Sequence, residues 1–304
     1  MNDAETKAHR AGFVAIVGRP SAGKSTLLNA LCGRKVAIIS PVPQTTRNRV
    51  RGIVTTDAGQ LVFVDTPGFH RSDQRLNQHM RGLIEETIRE SDAICYVIDT
   101  ARAPGEEEGE LLALVAKRSG DMPAVVVLNK IDVAKPAMIE QVAEWVGSTV
   151  PDARIFRTAA ITGDGLTDLR DTLIALMPED DPLYPSDFYT DQDPEFRVSE
   201  IIREKAIAQT RKELPHALYV EVADMEERET EKGPQLWIRA FILVERNSQR
   251  GIVVGKAGSR IKEIRQSAQR EIASLFPYRI HLDLRVKVSP KWRRDERVLK
   301  RLIT

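Results

Sequence analysis

One stretch, Gly18-Arg-Pro-Ser-Ala-Gly-Lys-Ser25, constrains this chain more than any other. It fits the phosphate-loop pattern of Gly, four residues, then Gly-Lys-Ser. The pattern is short, so its setting must carry it. The compact apolar run Phe13-Val-Ala-Ile-Val17 before it predicts a buried strand. Thr26-Leu-Leu-Asn-Ala-Leu-Cys32 after it predicts a helix, with Gly33 placed to stop it. Between strand and helix, a glycine loop lets backbone N–H groups close around phosphate oxygens, and the helix N-terminus adds partial positive charge. Gly18, Arg19, Pro20, Ser21, Ala22, Gly23, Lys24, Ser25 and Thr26 are therefore expected to hold a phosphate chain. Lys24 would reach its outer phosphates and the Ser25 hydroxyl would hold Mg2+. The competing reading is an ordinary turn between strand and helix.

The strands that follow decide between these readings. Leu61-Val-Phe-Val64 runs directly into Asp65-Thr66-Pro67-Gly68, about forty residues after the glycine loop. In open α/β sheets, ligands bind at the C-terminal ends of strands. Asp65 there would face Mg2+ opposite Ser25, and Gly68 would let the backbone approach a terminal phosphate. The next two apolar strands, Ala93–Ile98 and Ala124–Leu128, end in Asp99 and in Asn129-Lys130-Ile131-Asp132. The Asp132 carboxylate matches the N1–H and amino donors of guanine, and adenine has no such pair of donors. Lys130 would lie along the base plane and Asn129 would tie loops together. A last strand, Arg154–Arg157, leads into Thr158-Ala159-Ala160, where the Ala159 N–H would meet guanine O6.

With the proline- and threonine-bearing loop Ser40–Arg47, which is long enough to move, the glycine loop, Asp65–Gly68, Asn129–Asp132 and Thr158–Ala160 make five elements in one order. Residues 10–178 thereby resemble the translation-factor-related GTPases. The resemblance implies GTP and GDP as ligands with Mg2+, and makes Gln44-Thr45-Thr46-Arg47 the first switch and 66–80 the second. Thr46, or alternatively Thr45, would join Ser25 and Asp65 on the metal; Lys24, Thr46 and Gly68 would act on the terminal phosphate. Two departures stand out. Phe69 occupies the place where many GTPases carry a water-orienting glutamine, so slow intrinsic hydrolysis is expected. Ser21 stands where potassium-activated relatives carry asparagine, which puts K+ dependence in doubt. Arg47 and Arg49 read as solvated switch arginines in preference to internal arginine fingers.

Charge separates the two halves. Residues 195–304 carry 24 Lys/Arg against 16 Asp/Glu, a net +8; residues 1–194 carry 21 against 28, a net −7. A basic second half points to a polyanion, without choosing among RNA, DNA and an anionic membrane. No apolar run nears the about eighteen residues of a membrane span. The polar segment 1–10 has no apolar core of the secretory kind. The two cysteines, Cys32 and Cys95, sit in apolar contexts and suggest no disulfide framework, so a cytoplasmic setting is expected.

The proline-rich, acidic segment 179–195 reads as an extended connector between a first domain, 11–178, and a second, 196–304. In the second, a helix over 196–214 precedes strands Leu218–Val222 and Gln235–Val244, set around a charged turn, Asp224–Gly233. Arg250-Gly-Ile252-Val253-Val254-Gly255-Lys256-Ala257-Gly258 then leads into a helix beginning at Ser259. Two helices joined by Gly-x-x-Gly is the layout of the KH module, whose loop clamps about four nucleotides. Glycines permit close phosphate approach, Lys256 with Arg250, Arg260 and Lys262 adds charge, and Ile252, Val253 and Val254 would floor a groove for bases. A plain turn between two helices is the alternative. A strand, His281–Val288, and a basic helix, Lys291–Leu302, complete the type-II order.

The fold class expected is thus α/β, a P-loop GTPase domain with a mostly parallel doubly wound sheet, followed by an α+β type-II KH domain. With that pairing and the run Glu245–Gly258, nearly the whole chain resembles the bacterial Era GTPases. The resemblance implies that the chain hydrolyses GTP, binds the 3′ end of 16S ribosomal RNA and assists assembly of the 30S subunit. The resemblance also implies peripheral association with the inner membrane. The reading adopted is a monomer in which switch ordering by GTP lets nucleotide state control the RNA grip. The rival is a membrane-surface signalling GTPase whose basic C-terminal domain binds lipid headgroups. Its sign would be exposed large apolar residues on Lys291–Leu302, beginning with Trp292.

Overall fold

The computed structural model describes residues 9–43, 45–69, 75–210, 214, 218–290 and 292, with the side chains of 75–79 excepted. Two compact units divide in sequence between Asp191 and Gln192.

The first unit is built on six strands: β1 (Arg10–Val17), β2 (Val50–Thr56), β3 (Gly59–Asp65), β4 (Ala93–Asp99), β5 (Ala124–Asn129) and β6 (Arg154–Thr158). Their spatial order is β2-β3-β1-β4-β5-β6. Only β2 runs antiparallel to its neighbour; the other pairings are parallel. Every residue of β3, β4 and β5 is buried. Their apolar runs, Leu61–Val64, Ala93–Ile98 and Ala124–Leu128, fit strands with both faces covered. The helices are α1 (Lys24–Cys32), α2 (Arg75–Arg89), α3 (Glu106–Arg118), α4 (Pro136–Thr149) and α5 (Leu166–Leu176). Gly33 ends α1 in a left-handed conformation, φ 61°, its N–H returning to Ala30 O. The strand order reverses at β1, so its C-terminal end is the topological switch point where a ligand is received. The glycine loop begins there.

The second unit comprises α6 (Pro194–Ala208), β7 (Tyr219–Thr230), β8 (Gly233–Val244), α7 (Asn247–Val254), α8 (Ser259–Ala273) and β9 (Arg279–Val288). Asp193 caps α6 by accepting from the N–H groups of Glu195 and Phe196. β7 and β8 are antiparallel, β8 and β9 parallel. Val198, Ile202, Ile238, Val253, Ile264, Ala268 and Ile272 share one core on this sheet. Helix, two strands, two helices, strand is the type-II KH order.

Two expectations are corrected. The stretch Asp224–Gly233 is not a long turn: β7 continues to Thr230, and only Glu231 and Lys232 turn the chain. The register shifts between Val222 and Asp224, a bulge that turns the ribbon. Beyond it Trp237 lies under Arg228 and Arg239, at 4.0 and 4.8 Å from its ring centre. Ladder hydrogen bonds and cation–π contacts hold this arm, so β7 here needs no apolar alternation, while Leu236 and Ile238 of β8 alternate into the core. The connector, in turn, does not leave the first unit at residue 179. Gln60 bonds both backbone groups of Tyr184, Ile53 N–H donates to Tyr189 O, and Arg51 pairs with Asp191 at 2.8 Å. β2 is the edge of its sheet, and an edge strand offers unpaired polar groups that a neighbouring segment satisfies. The basic helix expected over Lys291–Leu302 lies outside the described residues except for Trp292.

Candidate functional site

The phosphate loop is closed on itself in this structure. Lys24 is buried, its Nζ donating to Gly18 O at 3.0 Å and Arg19 O at 3.2 Å. Gly23 has φ 95°, and a Cβ there would stand 2.3 Å from Asn129 Nδ2. A Cβ on Gly68 would meet Pro20 at 2.7 Å, and Phe69 N–H donates to Gly18 O at 3.1 Å. The acid-bearing loop therefore lies directly against the glycine loop at Gly68, while Gly23 lets Asn129 close on the same loop. Gly23→Ala combines left-handed strain with loss of the Asn129 bond to Ala22 O. It is expected to weaken GDP binding about fiftyfold, or about 2–3 kcal/mol, in a fluorescent-nucleotide titration.

Ser25, Thr46 and Asp65 meet at one point. Ser25 Oγ donates to Asp65 Oδ2 at 2.6 Å, and Thr46 Oγ1 lies 3.0 Å from Ser25 Oγ and 3.5 Å from Asp65 Oδ2. Asp65 is wholly buried, and its Oδ1 has no hydrogen-bond partner. Burial pushes its carboxyl up to about 6, against the opposing pull of Lys24, Ser25 and Thr46. Burial likewise lowers the Lys24 ammonium to about 8, with Asp65 opposing. An all-oxygen set around a buried carboxylate that still has a lone oxygen suits a small hard cation that brings phosphate oxygens with it. Ser25, Thr46 and Asp65 are the residues that would hold Mg2+.

The base motif is tied to the loops around it. Asn129 Nδ2 donates to Ala22 O at 3.0 Å, while its Oδ1 accepts from Thr158 Oγ1 and Ala160 N, each at 3.2 Å. One buried amide thus joins the glycine loop to Thr158–Ala160. Lys130 has φ 68°, and its Nζ donates to Ser21 O at 2.7 Å. Asp132 is exposed, at the mouth of the site. The Ala159 N–H does not point into that mouth: it donates to Asp164 O at 3.1 Å, so the contact expected with guanine O6 is not offered by this group.

Other side chains face away from the phosphates. Arg19 reaches Glu108 at 2.6 Å, leaving only its backbone to the loop. Thr66 is buried, with its hydroxyl on Ile16 O at 2.8 Å, and Pro67 is buried beside it. Phe69 is buried in the first unit's core. Arg47 is not solvated but 5% exposed, and Arg49 pairs with Glu86 and Glu90 of α2 at 3.2 and 2.6 Å. Arg47 departs from the solvated reading by its burial, and Arg49 because two acids of α2 lie within its reach.

In the second unit, α7 ends at Val254 with Gly255 as its cap and α8 starts at Ser259, with Gly255, Ala257 and Gly258 at φ 74°, 49° and 76°. A Cβ on Gly255 would meet Arg260 Cβ at 2.7 Å, whereas one on Gly258 would meet open space. Arg250, Lys256 and Lys262 are exposed around the turn. Arg260 curls back, donating to Ile252 O. Ile252 is 46% exposed and Val254 half-buried, but Val253 is fully buried in the core. Val253 therefore cannot floor a groove for bases; the helical turn that exposes Ile252 sends its neighbour inward. Val253→Ala is expected to cost about 2 kcal/mol of stability without changing RNA contacts. Ile252→Ala should do the reverse, as melting and RNA-binding curves on both variants will tell.

A doubly wound sheet carrying a phosphate loop, a metal-type triad and a guanine motif, followed by a glycine-turn module on a three-stranded sheet, defines a class: P-loop GTPases joined to a KH domain. Residues 13–130 match the family described as 50S ribosome-binding GTPase, and residues 213–293 the family described as KH domain. The chain is similar to GTPase Era of Treponema denticola, at 44% identity over 96% of this chain and 98% of that one. It is similar to GTPase Era of Borreliella burgdorferi at 43% identity, covering 97% and 99%. A solved structure of Era in complex with MgGDPNP and nucleotides 1506–1542 of 16S ribosomal RNA matches at a TM-score of 0.90 and 34% identity, covering 96% and 98%. A variant of Aquifex aeolicus Era bound to GDP·AlF4− matches with the same four values. This chain belongs to the Era family of GTPases.

Proposed function

We propose that the chain hydrolyses GTP, binds the 3′ end of 16S ribosomal RNA and assists assembly of the 30S subunit, with the bound nucleotide setting its grip on RNA. The observation that carries this reading is the full-length match to an Era structure holding both MgGDPNP and a segment of 16S RNA. In this reading Lys24 leaves the Gly18 and Arg19 carbonyls to meet the outer phosphates. Gly23, Ser25 and Thr26 present backbone N–H groups to the phosphate chain. Ser25, Thr46 and Asp65 would hold Mg2+, which would supply positive charge against the transferred phosphoryl group. Gly68 brings backbone to the terminal phosphate. With the Phe69 side chain buried, no side chain at that position positions water, and slow intrinsic turnover is the expected result. Ser21 offers no side-chain amide to a monovalent cation.

RNA is gripped at Lys256 and the flanking glycines, with Arg250 and Lys262 on the phosphates and Ile252 against a base. Among the described residues no helix is long and apolar enough to cross a membrane. Trp292, which the lipid-binding rival would expose, is fully buried against Tyr219 at 5.6 Å between ring centres. Peripheral attachment to the inner membrane rests on the family resemblance alone. The test is a pair of selectivities in the purified chain: hydrolysis of GTP over ATP, and binding of a 16S 3′-terminal oligonucleotide over a scrambled one. Loss of either preference contradicts the proposal.

A further inference from the structure

Two successive carbonyls of the glycine loop are each held by a cation from outside it. Arg102 Nη2 donates to Pro20 O at 3.2 Å and Lys130 Nζ donates to Ser21 O at 2.7 Å. Both cations converge on one acid, Asp99, at the C-terminal end of β4. Its Oδ2 lies 2.8 Å from Lys130 Nζ and 3.3 Å from Arg102 Nε. The Asp99 side chain is 6% exposed, and its Oδ1 accepts from Ala101 N–H at 3.0 Å, which fixes the carboxylate's orientation. Thr100, next in sequence, donates from both N–H and hydroxyl to Asn129 O at 3.1 and 2.7 Å. The loop after β4 and the loop after β5 are thus fastened together beneath the glycine loop. Lys130 also sits in a left-handed backbone conformation that a side-chain-bearing residue adopts at a cost, so its placement is imposed by its surroundings.

We infer that Asp99 is a positioning residue for nucleotide binding: it holds Arg102 and Lys130 on the Pro20 and Ser21 carbonyls, so that the phosphate loop and the guanine motif are set as one piece. Nothing in the known motifs of the site requires this acid. By charge alone it would repel a nucleotide, since a carboxylate near phosphates disfavours them. The two effects have opposite signs. If repulsion dominates, removing the charge tightens binding, most at low salt. If positioning dominates, removing it weakens binding to GDP and GTP alike, because the clasp touches no γ-phosphate.

The inference rests on the nucleotide reading above. Its test is equilibrium titration of the full chain with GDP and with a non-hydrolysable GTP analogue, in Mg2+, for Asp99→Asn, Asp99→Glu and Arg102→Ala. Asp99→Asn is expected to weaken both ligands about tenfold, the size of one lost charge-assisted hydrogen bond, and to raise KM for GTP far more than it lowers kcat. Asp99→Glu should recover part of the affinity. Arg102→Ala, at a side chain 45% exposed, should weaken both ligands about threefold, on the order of one surface contact. It keeps the question answerable if Asp99→Asn does not fold. In a Lys130→Ala background, Asp99→Asn should cost clearly less than it does alone, because the two residues act together. Unchanged or tighter binding by Asp99→Asn, or full additivity with Lys130→Ala, overturns the inference while leaving the GTPase reading intact. An unmodified chain that bound no guanine nucleotide would overturn that reading instead.

Discussion

Asp132→Asn is expected to lower affinity for GTP about a thousandfold and to raise affinity for xanthosine triphosphate, as a competition titration with the two nucleotides will measure. Asp132 is exposed at the mouth of the site, after a strand end locked by Asn129. A carboxylate there accepts from both N1–H and the exocyclic amine of guanine. Asparagine retains one acceptor and turns an N–H donor toward a base edge that itself donates. Two charge-assisted bonds are lost and a donor is left facing a donor; sites built on such bonds discriminate by about four to five orders of magnitude. Xanthine carries a carbonyl where guanine carries its amine, so the asparagine N–H regains a partner. GTP binding that survives the substitution unchanged would remove Asp132 from the base site.

Lys256→Asp with Gly258→Asp is expected to weaken RNA binding by more than about a hundredfold while RNA-independent GTP hydrolysis continues at its original rate. The turn lies in the second unit, exposed, at the junction of α7 and α8. The substitutions change its charge from positive to doubly negative, against a ligand whose affinity comes largely from phosphate contacts. Gly258 has φ 76° with open space where a Cβ would stand, so the cost falls on backbone strain and charge and not on packing. The core beneath, Val253, Ile264 and Ala268, is untouched. Equal RNA affinity in the variant and the unmodified chain would contradict a KH-type grip.

What sequence alone makes legible here is whatever is local. The glycine loop, Asp65–Gly68, Asn129–Asp132 and Gly255–Gly258 are each written in consecutive residues, because backbone approach to a ligand demands glycine and a strand end at a fixed place. Apolar runs mark β3, β4 and β5 for the same reason: strands covered on both faces have no polar positions to dilute the signal. The misread parts depend on partners distant in sequence. β7 beyond the bulge has no apolar alternation, since Trp237 of the neighbouring strand supports it under Arg228. Tyr184, Tyr189 and Asp191 read as connector because their partners, Gln60, Ile53 and Arg51, lie more than a hundred residues earlier. Arg19 was expected on the nucleotide because its neighbours in the loop are, yet Glu108 takes its side chain. Val253 stands beside Ile252 in one apolar run, and one step along a helix separates core from solvent. Asp99 shows as a strand-ending acid in the sequence; its two cations show only in space.

The most direct test of the account is the affinity of a 16S 3′-terminal oligonucleotide for the full chain loaded with a GTP analogue and Mg2+, against the same chain loaded with GDP. Linkage requires the two ligands to change each other's affinity by one factor. The account predicts tighter RNA binding in the GTP-like state, by a factor that reappears when nucleotide affinity is measured with and without RNA. The same RNA affinity in both states would contradict it.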